Sequence, residues 1–272
     1  MYIKRLYKYI PFDGNLDSSI EHDRRKGFEN GEIWYSKAKD LNDPYDCRPI
    51  IIIDNKQIPE IIKNLTNEEI NYLKTKIKFD STEELLLKII NPQRIKHVDR
   101  IEKHHLILFV FKSYVYRFQF AKLSNIGILS LTEDNSNILM WAHYAKNHSG
   151  ICLGFERNQK NLLGSLKTRK IRYLKHQPRV SLLETMHEKY GKSEEMFFRK
   201  SRHWIHEKEW RNCKPEGNKT YQYPGKLKEI ILGVNFPRKN YQLIRDIFGN
   251  KVEYFKTTLG NSYEIIIKNL KE

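Results

Sequence analysis

From residue 56 to residue 122 the chain reads as helix, and on either side of that block it reads as short strands parted by turns. Strand and helix do not alternate regularly, which argues against a doubly wound parallel sheet and for an α+β fold. Thr66 with Glu69, and Ser81 with Glu84, stand at capping-box spacing ahead of apolar helical faces. Pro92 suits the first turn of a long helix through Ile95, Val98 and Ile101 into residues 106–118. The block behaves as a helical insertion, a lid or scaffold, in one α+β domain spanning residues 1–272.

Before the block, residues 2–9 alternate apolar and basic side chains, as a half-buried strand does. Pro11 and Asp13-Gly14-Asn15 end it, residues 18–27 predict a short helix, and residues 32–37 predict a second strand. That strand runs into Asn42-Asp43-Pro44, a turn in which proline fixes φ and pushes the preceding residue out of the α region. After the block, residues 127–131 and 150–155 predict buried strands, with a short helix at 137–146 between them. Gly150 enters its strand from a turn, where conformational freedom is useful. A helix over 181–204 and a strand over 207–213 follow. Strands at 227–232, 252–256 and 263–267, with a helix at 240–248, complete the sheet.

Hydrophobic residues make up 39% of the 272 positions and aromatics 12%, which is ample for a packed core. The first residues lack the apolar stretch of a secretory signal, and the most apolar run, 106–111, is too short to cross a bilayer. Cys47, Cys152 and Cys213 stand far apart and read as reduced thiols, so a cytoplasmic protein away from membranes is expected. The net charge is +16, unevenly spread: residues 1–50 are balanced, whereas residues 160–214 hold fifteen Lys/Arg against six Asp/Glu. Such a face attracts nucleic acid or another polyanion, although a solvated lysine-rich surface accounts for it as well.

The chain has no Gly-x-x-x-x-Gly-Lys-Ser/Thr loop, Gly-x-Gly-x-x-Gly turn, Gly-x-Ser-x-Gly elbow or His-Glu-x-x-His helix. Four clusters remain for chemistry. They are Leu6-Tyr7-Lys8-Tyr9; Leu41-Asn42-Asp43-Pro44-Tyr45-Asp46 behind the Trp34-Tyr35-Ser36 strand; Met140-Trp141-Ala142-His143-Tyr144 running to His148-Ser149-Gly150; and residues 204–211, from Trp204 to Arg211, which contain Glu207-Lys208-Glu209-Trp210-Arg211. In this order they resemble the bacterial family known as domain of unknown function 2971, with Tyr45 where Phe is usual. The resemblance spans about residues 6 to 233.

A looser resemblance, to ADP-ribosyltransferases, rests on an aromatic and basic first strand, a Ser/Thr-bearing strand and a late Glu-x-Glu. It implies a mixed sheet split around NAD, with flanking helices. In a strand, Glu207 and Glu209 point to one face, as a paired acid site requires. On that mapping Glu209 is the catalytic carboxylate and Glu207 its partner, while Ser130 and Thr132 position NAD. Lys8 or Tyr9 contacts the nucleotide, one of Tyr35, Trp141 and Tyr144 stacks on nicotinamide, and Arg211 and Asp43 face the substrate. The function implied is that of an NAD-using toxin or phage-defence effector, with an antitoxin or defence-system partner, acting on nucleic acid or a nucleic-acid-bound target.

Two other readings stand beside it. Asp43 and Asp46 with Glu207, Lys208 and Glu209 could serve a Mg²⁺-dependent nuclease, although Asn-Asp-Pro is also an ordinary turn. Alternatively the chain is a basic nucleic-acid-binding or sensor module in which Trp141, Tyr144, Trp210 and Arg211 form a buried aromatic network. His143 with His148, and His203 with His206, have no cysteine at zinc-site spacing and are expected in cores or interfaces.

Overall fold

The computed structural model describes residues 3–90, 108, 111–113, 121, 123–183 and 196–270. The chain forms two compact units: Met1–Asp46 with Ile126–Lys175 and Phe197–Glu272, and Cys47–Asn125 with His176–Met196. The helical block predicted at 56–122 falls in the second unit.

Fourteen strands are described: β1 (Arg5–Ile10), β2 (Glu32–Lys37), β3 (Ile50–Ile52), β4 (Gly127–Thr132), β5 (Ile151–Glu156), β6 (Thr168–Lys170) and β7 (Arg172–Leu174), then β8 (Arg179–Ser181), β9 (Arg199–Ser201), β10 (Glu209–Lys214), β11 (Lys219–Gln222), β12 (Leu227–Leu232), β13 (Glu253–Leu259) and β14 (Ile265–Asn269). The helices are α1 (Ser19–Glu29), α2 (Ile58–Lys63), α3 (Asn67–Lys76), α4 (Thr82–Ile90), α5 (Ile138–Tyr144) and α6 (Tyr241–Phe248). The fold is α+β.

In the second unit α2, α3 and α4 bury Ile58, Ile61, Leu73 and Leu85 with Phe111 and Leu182. Thr66 and Glu69 close the capping box their spacing predicts. β3 pairs in parallel with β8. Of the long helix predicted from Pro92, only residues 108 and 111–113 lie inside the described residues. The helix predicted over 181–204 is corrected at both ends. Ser181 closes strand β8, and residues 196–207 form a 3-10 turn, strand β9 and a second 3-10 turn, Arg202–Glu207. Residues 184–195 lie outside the described residues.

In the first unit ten described strands form one mixed sheet in the order β11-β2-β4-β1-β5-β12-β13-β14, with β10 and β6 branching from it. Pairing is antiparallel except between β12 and β13, which α6 connects in parallel. Apolar alternation buries both faces. Leu6, Leu153, Ile230 and Leu232 enter one core with Phe12, Phe28 and Ile244, while Tyr9, Cys152 and Ile231 enter another with Trp141. Gly150 has no left-handed backbone. A Cβ there would run into the Ile10 carbonyl and Ala145, so it is close approach that requires glycine.

The sheet forks at β4. β10 runs the full length of one β4 edge, from Glu209 opposite Thr132 to Lys214 opposite Gly127. A strand has two edges, so β1 and β2 must share the other. β2 meets it at Ile128 and Gly127, and β1 meets it at Thr132. Around Ser130 that edge has no strand beside it among the described pairings. β1 and β2 thus part along that edge within one mixed, open sheet. Among the described residues, no helix is long and apolar enough to cross a membrane.

Candidate functional site

A cavity of about 220 Å³ opens at the fork, entirely within the first unit. Tyr7, Lys8 and Tyr9 of β1 line it in succession, as do Ser130, Leu131 and Thr132 of β4. Successive side chains of a strand point to opposite faces, so consecutive lining residues mean that the cavity sits at the strand edges. Ser36, Asp40, Leu41, Asn42 and Asp46, with Met140, Tyr144, Lys200, Glu207 and Glu209, complete the lining.

Local structure brings the last group in. Asn137 caps α5 by accepting from the Leu139 and Met140 amides, and its Nδ2 donates to the His206 carbonyl at 3.0 Å. This fixes Tyr144 beside the Arg202–Glu207 turn. Glu207 ends that turn, Lys208 is left-handed (φ 45°, ψ 44°), and Glu209 begins β10. The two carboxylates converge through this reversal, not through the strand alternation expected of 207–213.

The wall holds a nearly dry ionic network. Arg211, fully buried, grips Asp46 with both terminal nitrogens at 2.9 and 2.5 Å, and its Nε donates to Glu209 Oε1 at 2.6 Å. Lys200 Nζ donates to Glu207 Oε2 at 2.5 Å and Glu209 Oε2 at 3.2 Å, and lies 3.5 Å from Asp46 Oδ2. Tyr144 donates its hydroxyl to Glu207 Oε1 at 2.6 Å, and Asn42 Nδ2 donates to that hydroxyl oxygen at 3.2 Å. The Glu209 amide donates to the Tyr173 hydroxyl oxygen at 2.8 Å.

This arrangement separates the two glutamates chemically. Burial would raise the Glu209 carboxyl, but the Arg211 and Lys200 charges, with hydrogen bonds from Arg211 and Ser130, outweigh it and hold it well below the carboxylate range. Burial raises Glu207, the Lys200 charge opposes that, and the Glu209 charge adds to it; the result is raised. Burial lowers Lys200, and the charges of Glu209, Asp46 and Glu207 reverse this, holding it above the ordinary lysine value. Lys8 goes the other way. Burial lowers it, and the charges of Glu209 and Glu207 do not fully compensate. No hydrogen bond or ion pair to the Lys8 ammonium occurs among the described residues.

Of the residues singled out from sequence, Lys8, Tyr9, Ser130, Thr132, Tyr144, Glu207 and Glu209 line this cavity. Four do not. Trp141 is buried edge-on against Tyr9, ring centroids 5.0 Å apart, with its indole N–H on the Asn135 carbonyl. Tyr35 is buried and donates its hydroxyl to Asn212. Neither lies where it could stack on a ligand in the cavity. Arg211 lies behind the wall and holds carboxylates rather than facing a substrate. Asp43 is the turn residue its context suggested: its Oδ1 accepts the Tyr45 amide at 2.9 Å and its carbonyl accepts the Asp46 amide at 3.1 Å. The cation over Trp210 is Arg157, at 4.6 Å. Among the described residues no group of three or more His, Cys, Asp or Glu is arranged to hold a metal.

Lys200 and Tyr173 went unnoticed in the sequence, Asn42 was noted only within its turn cluster, and Asp46 was weighed only as a metal ligand. A signal for one partnership was there. Asp46 ends the Asn42–Asp46 cluster and Arg211 ends the Glu207–Arg211 cluster, opposite charges that prove to be the buried bidentate pair.

Comparison with curated proteins and with solved structures finds no match. Residues 140–212 match the model of the family described as protein of unknown function (DUF2971). That span contains the Trp141–Gly150 and Glu207–Arg211 clusters, so over these residues the match agrees with the resemblance drawn from the ordered motifs.

Proposed function

We propose that the fork cavity binds the nicotinamide–ribose end of NAD and that the protein transfers ADP-ribose to nucleic acid or a nucleic-acid-bound target, as a toxin or phage-defence effector in the cytoplasm. The observation that carries this reading is the convergence of Glu207 and Glu209 with Lys8, Tyr9, Ser130, Thr132 and Tyr144 on one cavity at the split of the sheet. The residues suit such a donor. Lys8 presents an ammonium with no hydrogen-bond partner among the described residues, as a pyrophosphate oxygen requires, and carboxylates and hydroxyls suit a ribose. At about 220 Å³ the cavity is smaller than the roughly 300–1,000 Å³ common for ligand sites, so it suits one end of a dinucleotide.

The donor supplies a glycosidic bond whose cleavage leaves positive charge on the ribose carbon. The local charges favour Glu207, rather than Glu209, for the catalytic role. The Glu209 carboxylate is saturated by Arg211, Lys200 and Ser130, which mutes its field and leaves it no use for a proton. Glu207, with its raised proton affinity, is the group able to take the acceptor's proton. Glu209 acts as a positioning residue by holding Lys200.

The nuclease alternative draws less support, because the oxygens of Asp46, Glu207 and Glu209 already serve Lys200 and Arg211 and Asp43 serves its turn. Incubation with labelled NAD, alone and with single-stranded RNA, DNA or lysate, tests the proposal. NAD turnover lost in Glu207→Gln supports it; no NAD binding or turnover by the wild-type protein sinks it. Salt-sensitive nucleic-acid association unaffected by either glutamate variant would point to a binding module instead.

A further inference from the structure

A second hollow, of about 310 Å³, lies beside the fork cavity in the same unit, lined by Asp43, Tyr45, Ser201, His203, Trp204 and His206. Asp43 follows Asn42, and His206 precedes Glu207, so the two hollows share a wall made of consecutive residues. Three features bear on what it holds. Its larger side chains are flat rings, and Tyr45 stands 69% exposed on its turn. Nε2 of His206 is enclosed with no hydrogen-bond partner among the described residues, an unusual condition for a buried polar atom. Cations flank it: Arg202 is exposed on the same 3-10 turn, and Lys200 Nζ lies 5.1 Å from the centre of the Trp204 ring.

We propose that this hollow takes an unpaired base of a nucleic acid strand, the base stacking on Trp204 and Tyr45 while Arg202 meets a neighbouring phosphate. Aromatic platforms beside cations are how single strands are held, and the chain's net charge of +16 suits that partner. The hollow would present the acceptor strand across the Asn42–Glu207 wall from the donor, a role that rests on the NAD-transfer reading. The base-binding itself does not.

The test is binding of a labelled single-stranded 12-mer, DNA and RNA, to the full chain by fluorescence anisotropy at two salt concentrations, with acceptor-free NAD breakdown measured in parallel. Trp204→Ala should weaken binding about tenfold with Trp204→Phe restoring most of it. Tyr45→Ala should weaken it several-fold and leave acceptor-free NAD breakdown unchanged. Arg202→Gln should reduce the salt slope by about one. The proposal is overturned if wild-type protein binds no single strand, if it binds duplex equally well, or if Trp204→Ala and Tyr45→Ala both bind like wild type. It is also overturned if those variants lose NAD breakdown but keep strand binding, which would assign the hollow to the donor. Strand binding that depends on Trp204, with no NAD turnover in the wild type, would uphold this inference and sink the transfer reading alone.

Discussion

Nζ of Lys200 lies 2.5 Å from Oε2 of Glu207, and both side chains are almost wholly buried. The same ammonium reaches Glu209 and Asp46, so one lysine neutralises part of three carboxylates that Arg211 alone could not balance. Removing one partner from a buried ion pair leaves an uncompensated charge, a loss of about 3–5 kcal/mol. Lys200→Met should therefore lower unfolding free energy by about that amount, read by urea denaturation at neutral pH. A loss below about 1 kcal/mol would mean that the network is wetter than its burial indicates.

The two glutamates should have opposite pH signatures. Glu207 has a raised folded-state value, so its contribution is complete below the unfolded value of about 4.3 and is lost as pH rises through the folded value. Glu209 is depressed, so its contribution is present above the unfolded value and is lost as pH falls toward the folded one. Urea unfolding across a pH series checks this. The stability difference between wild type and Glu207→Gln should shrink as pH rises above about 4.3, whereas that for Glu209→Gln should grow as pH rises toward about 4.3 and stay level above it. Parallel slopes would reverse the roles assigned here.

Much of this framework is local and could be read from the chain. Ser18 and Asn137 cap the helices they precede, and alternation at β1, β5 and β12 carries each strand between two cores. What could not be read depends on partners far away in sequence. Asp46 and Arg211 lie 165 residues apart, and Lys200 looked like one more cation in a basic run until the fold enclosed it. Glu207 and Glu209 were expected together for a reason that fails. A strand would have aligned them, whereas a left-handed lysine does so, and lysine gives little sequence warning of that conformation. The helix expected over 181–204 shows the converse. Its amphipathic pattern is compatible with helix, yet Arg199–Ser201 pairs with β7 and turns Lys200 toward the acids.

Lys8 should be more useful to the site than to the fold. Its ammonium carries a charge that burial disfavours and has no hydrogen bond or ion pair among the described residues. Its depressed folded value means that its contribution is present above the ordinary lysine value and is lost as pH falls through the folded one, so at neutral pH it opposes folding. Lys8→Met should leave thermal stability unchanged or raise it by about 0.5–2 kcal/mol, while weakening NAD or pyrophosphate binding. Calorimetric unfolding paired with ligand titration measures both. A marked fall in the melting temperature would show that Lys8 supports the network instead.

Lys208 sets the geometry of the acid pair through its backbone alone. Its side chain reaches Asp134 at 2.9 Å at an exposed position, a contact of at most about 1 kcal/mol. Its left-handed conformation costs an L-residue roughly 1–2 kcal/mol, which glycine avoids. Lys208→Gly should therefore leave stability within about 1 kcal/mol of wild type and preserve activity, because the relieved strain offsets the lost ion pair and the added chain entropy. Lys208→Val should cost about 1–3 kcal/mol, since a β-branched residue resists positive φ, and should move Glu207 away from Glu209. Thermal melts of both variants, read beside NAD turnover, decide the matter. If valine is tolerated as well as glycine in both assays, the reversal at residue 208 is not what brings the two carboxylates together.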